Sequence, residues 1–79
     1  MGVSFSVRAE RWLAANPDQA SIVYNWGFRL LDGAADEGKV VPGYQPVMRE
    51  VLLASSQGPL AIRYATYRDQ VVILAIEAR

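Results

Sequence analysis

Residues 58–79, GPLAIRYATYRDQVVILAIEAR, decide most of what this chain can fold into. Leu60, Ile62 and Tyr64 alternate with Ala61, Arg63 and Ala65, the two-residue period of a half-buried strand. Arg68-Asp69-Gln70 breaks the pattern as a short polar turn. Val71-Val72-Ile73-Leu74-Ala75-Ile76 then runs unbroken, which predicts a strand covered on both faces. The rest of the chain has to supply that cover.

The preceding residues read as follows. Val3-Ser4-Phe5-Ser6-Val7 alternates apolar and polar side chains and predicts a first, short strand at an edge. Residues 8–15 place Ala9, Trp12 and Leu13 at helical spacing. Asn16-Pro17 ends that helix and opens a second, with Asn16 as N-cap, Pro17 at the first helical position and Asp18 in the first turn. Gln19, three residues after Asn16, makes a relative of the capping box. Ala20, Val23, Gly27 and Leu31 (or Leu30) form its apolar stripe, with Tyr24 beside it. Gly27 implies close approach to another element, and Gly33 is the expected left-handed cap.

Residues 33–46 read as a loop with one extended segment at Lys39-Val40-Val41. Residues 47–54 form a second long strand, and 55–59 a loose hairpin loop. The order β-α-α-β-β-β predicts an α+β fold. A helical hairpin packs on an antiparallel sheet of about four strands, to which the first strand returns.

Composition narrows the chemistry. Seventy-nine residues make one domain, 1–79. The chain has no Cys and no His, which removes disulfides, thiolate and imidazole metal ligands and His-based catalysis. Asp36-Glu37 is an acidic pair without companions at metal-ligand spacing, so no metal site and no cofactor are assigned. An apolar fraction of 52% marks a folded globule with apolar surface to spare for a partner. No run is long enough to span a membrane and Met1-Gly2-Val3-Ser4 opens no signal peptide, so the expected compartment is the cytoplasm. Formal net charge is zero, against a strong sequence-independent nucleic-acid binder. The charge is uneven: Lys39, Arg49, Arg63, Arg68 and Arg79 face only Glu50, Asp69 and Glu77 in residues 39–79.

Four segments, in order, resemble the RelE/ParE superfamily of toxins from bacterial type II toxin–antitoxin systems. Val3-Ser4-Phe5-Ser6 followed by Ala9, Glu10 and Leu13 looks like that family's first strand and helix. Gly38-Lys39-Val40-Val41-Pro42-Gly43 is similar to its approach to the second strand, and Met48-Arg49-Glu50-Val51 to its "l-R-E-L". Tyr64, the 71–76 run and Arg79 follow its C-terminal pattern. The resemblance implies a helical hairpin on a curved antiparallel sheet and a cognate antitoxin whose segment wraps that sheet. It also implies one of two targets: ribosome-bound mRNA, which is cut, or DNA gyrase, which is bound.

Metal-free RNA cleavage needs cations around a developing phosphorane and a proton donor for the leaving oxygen. Here Ala61 stands where the family's strand pattern carries Arg, and Glu77-Ala78-Arg79 replaces its "g-H-R" ending. The candidate site residues that remain are Arg49, Arg63 and Arg79, with Lys39 and Tyr67. Arg63 shares the face of Ala61, about 6.6 Å further along the strand. Arg49 and Glu50 point to opposite faces, one pairing across the sheet and the other meeting solvent. Tyr64, Trp12 and Trp26 read as packing residues. The expectation is a gyrase-directed, ParE-like toxin that acts by binding. The alternatives are an mRNA endoribonuclease with a rearranged site and a small non-catalytic interaction domain.

Overall fold

A computed structural model describes residues 2–30, 38–44, 47–67 and 70–79, with only the backbone of Tyr67. The Gly33 cap, Leu31, the Asp36-Glu37 pair and the Arg68-Asp69 part of the polar turn lie outside these residues.

The elements follow as β1 (Gly2–Phe5), α1 (Val7–Ala15), α2 (Pro17–Arg29), β2 (Lys39–Val41), β3 (Met48–Leu53), β4 (Leu60–Tyr67) and β5 (Gln70–Ala78). The α+β class is as expected, but the sheet has five strands rather than about four, in the order β1-β5-β4-β3-β2. Nor is it wholly antiparallel: β1 runs parallel to β5, pairing Gly2 with Gln70 and Phe5 with Ile73. The extra strand is the Lys39–Val41 segment, antiparallel to β3. Local pattern reads a three-residue strand only faintly, because its register comes from its neighbour.

The two helices cover one face. Ala9 and Leu13 of α1, with Val23, Trp26 and Leu30 from α2 and its end, pack on Leu60, Ile62, Tyr64, Val71, Ile73 and Ile76. Trp26 meets the Tyr64 ring edge-on, centroids 5.1 Å apart. Burial of Trp26 moves the α2 stripe round from its expected position, and Tyr24 is exposed but sits edge-on against Phe5. Gly27 lets α2 approach the sheet: a Cβ there would lie 3.5 Å from Val3 and 3.8 Å from Ile73.

Local signals differ from expectation at two helix starts. Ser6 does not continue β1. It is the N-cap of α1, accepting from the Ala9 N–H at 3.1 Å and donating to the Leu74 carbonyl at 2.6 Å. Asn16 precedes α2, but its side chain turns back to donate to the Trp12 carbonyl at 2.8 Å, closing α1 instead of capping α2. The expected capping-box relative therefore does not form, and Gln19 is buried.

The apolar run of β5 has a different cause from the one its composition suggests. A register shift at Arg63/Tyr64 pairs Arg63 with Ala75 but Tyr64 with Ile73, leaving Leu74 as the extra residue of a β-bulge. The bulge resets the two-residue period. Val71 and Ile73 before it, and Ile76 after it, all reach the helix-covered core. Val72 and Ala75 fall on the opposite face and are half-buried, Ala75 beside Arg8 of α1.

Candidate functional site

Strand register builds the site on the face opposite the helices. Lys39 pairs with Glu50 across β2 and β3, Glu50 with Arg63 across β3 and β4, and Arg63 with Ala75 across β4 and β5. Directly opposed residues in a sheet point to the same side. One transverse row thus carries Lys39, Glu50 and Arg63, and Arg79 reaches it from the end of β5.

Glu50 is the centre of this row. Its Oε2 accepts from Arg63 Nε at 3.0 Å, and its Oε1 lies 3.1 Å from Arg79 Nη2. The carboxylate side chain is 20% exposed, against 42% for Arg63 and 46% for Arg79. The hydrogen bond that Arg63 donates to Glu50, then the carboxylate's charge, raises the Arg63 pKa above the ordinary arginine value, with smaller contributions from Tyr44 and Glu77. Arg79 is also fixed through its backbone, whose N–H donates to the Pro59 carbonyl at 2.9 Å. Among the described residues Lys39 makes no ion pair. A second pair, Arg8 with Glu77 at 3.8 Å, is well exposed. The row borders an open groove of about 480 Å³ lined by Lys39, Val41, Pro42, Glu50, Leu52 and Arg63, among others.

The five candidate residues do not form one constellation. Arg63, Arg79 and Lys39 come together. Arg49 is placed on the other face, because its register partner is Tyr64. There Arg49 Nη1 donates to the Gly38 carbonyl at 2.9 Å, while the Gly38 N–H donates to the Tyr64 hydroxyl at 3.0 Å. Both polar groups of Gly38 are held, one by a half-buried Arg and one by a fully buried Tyr. A Cβ at Gly38 would lie 2.5 Å from the Tyr64 hydroxyl, so no other residue fits without a shift. Arg49 therefore anchors the start of β2. Tyr67 ends β4 opposite Gln70, roughly 13 Å along the strand from Arg63, and its side chain lies outside the described residues.

Glu50 is the residue that sequence reasoning left without a role. Adjacency placed it opposite Arg49, but the partner of each followed only from the register between β3 and β4. Chemically the row presents two guanidiniums already engaged by a carboxylate, with Lys39 beside them. Among the described residues no group of His, Cys, Asp and Glu is arranged to hold a metal ion, and no helix is long and apolar enough to cross a membrane. No protein family, characterised protein or solved structure matches this chain.

Proposed function

We propose that this protein is a ParE-like toxin of a type II toxin–antitoxin system, which arrests growth by binding an essential target such as DNA gyrase and is neutralised by a cognate antitoxin. The motif resemblance supplies the family. The observation that favours binding over cleavage is the position of Glu50 between Arg63 and Arg79. A phosphorane dianion needs cations whose donors are open to it. Here the Glu50 carboxylate engages Arg63 through Nε and Arg79 through Nη2 and offsets part of their charge, and Arg49, the third candidate arginine, is on the other face.

The test has two arms. The protein is incubated with gyrase, DNA and ATP, and separately with programmed ribosomes and mRNA. Inhibited supercoiling with intact mRNA is the expected result. Mapped mRNA cleavage that disappears in Arg63→Ala would overturn the binding reading. It would support the endoribonuclease alternative, which the shared face of Lys39, Arg63 and Arg79 favours.

A further inference from the structure

We infer that the outward face of α2 pairs with the same face of a second copy of this chain, the two helices antiparallel about a twofold axis. The inference stands apart from the toxin reading, because it concerns the helices and not the open side of the sheet.

Helix geometry defines the face. Val23 and Trp26 of α2, and Leu30 at its end, turn to the sheet. Helical periodicity puts Pro17, Ser21, Asn25 and Phe28 on the side away from it, and all four are exposed. Phe28 keeps 64% of its surface in solvent. Asp18 and Arg29 flank this stripe near the two ends of α2. They stand about three turns apart, so they project the same way. Both are exposed, and neither makes an ion pair among the described residues.

A twofold axis makes this stripe complementary to itself. With the axis level with Val23, Ser21 meets the second copy's Asn25 and Asn25 meets its Ser21, polar groups that can share hydrogen bonds. Phe28 lies over the end of the second helix, beside the smaller Pro17. The axis is perpendicular to the plane of the two helices, so Asp18 and Arg29 stay on one side of both. Each Asp18 then comes within one residue's rise, about 1.5 Å, of the level of an Arg29. Two opposite-charge contacts form, one at each end of the seam. A parallel pair would instead set like charges together. The zero net charge of the chain opposes no such association. The contact is short, since the 13 residues of α2 span about 20 Å, which makes the dimer a weak one. Because the helices meet back to back, the two Glu50 rows face outward, and the dimer presents two sites.

The test is sedimentation of the intact chain between roughly 10 μM and 1 mM, the range suited to so small an interface. The mass should rise from 8.7 kDa towards twice that value. Phe28→Ala, Asp18→Arg and Arg29→Asp should each weaken association at least tenfold. The two reversals also oppose the helix dipole, which favours an acid in the first turn and a base in the last. Combining them in one chain separates the two effects. The double variant has zero net charge and exchanges the partners across the seam, so it should associate at least tenfold more tightly than either single variant. An equimolar mixture of the two single variants should also gain, and weakened folding could produce neither result. A chain monomeric throughout would leave this face to a different protein and overturn the proposal. Association lost in Leu52→Thr but kept in Phe28→Ala, or a double variant no tighter than the single ones, would overturn it as well.

Discussion

At the scale of single residues, two glycines make opposite demands. Gly27 lies in α2 with room for a methyl group at ordinary contact distance from Val3 and Ile73. Gly27→Ala should therefore stabilise the protein by about 0.5–1 kcal/mol, by removing glycine's backbone entropy cost in a helix. Gly38 has no such room, since the added carbon would strike the Tyr64 hydroxyl and ring and crowd Arg49. Gly38→Ala should cost about 1–3 kcal/mol, the usual range for overpacking. Urea denaturation of both variants checks the pair, and shifts of the same sign would show that the space at one site is misjudged. Tyr64→Phe examines the same anchor from the other side. It removes the acceptor for the buried Gly38 N–H while keeping the ring against Trp26. A loss of about 1–3 kcal/mol is expected, and a neutral result would mean that water replaces the hydroxyl.

At the scale of elements, Ser6 joins three structures at once. It caps α1, its N–H donates to the Ile73 carbonyl, and its hydroxyl donates to the Leu74 carbonyl at the bulge. Ser6→Ala should cost about 1–2 kcal/mol through the lost cap. Amide exchange should quicken in the first turn of α1, and exchange unchanged at Ala9 would exclude a capping role. Ser6 also shows why some elements were legible in the sequence and others were not. In V-S-F-S-V it occupies the polar position of an alternating strand, and only the proximity of β5 reveals its other role. The hairpin of β4 and β5, both helices and the shared face of Ala61 and Arg63 follow from local periodicity, although Ala61 is itself buried there. The parallel pairing of β1 with β5 does not, because it joins residues at opposite ends of the chain. The bulge was hidden because an unbroken apolar run looks the same whether two faces are covered or one face is filled through a shifted register. For the site, parity placed Arg63 correctly, but the link from Glu50 to Arg63 and Arg79 is a tertiary register effect that no local pattern encodes.

At the scale of the whole molecule, a short chain with a 52% apolar composition has filled one face of its sheet and left apolar side chains elsewhere. They lie in two places. Val40, Tyr44, Val47 and Leu52 are near the β2 edge, while Val7 and Phe28 are on the helices. If the edge is the binding surface, a fluorescent apolar dye should find it in the isolated protein, since contiguous apolar surface binds where scattered side chains do not. Val40→Thr with Leu52→Thr places a β-branched residue that suits strands at both positions while adding hydroxyls. That double variant should lower dye fluorescence at least twofold. Its thermal midpoint should move by less than about 4 °C, because both positions are exposed. Val7→Ser with Phe28→Ser removes comparable apolar surface from the helices and should leave the signal nearly intact. A larger loss from the helical pair would move the interaction surface to the opposite side of the molecule, where Phe28 and Val7, not Lys39 and Glu50, would meet the partner.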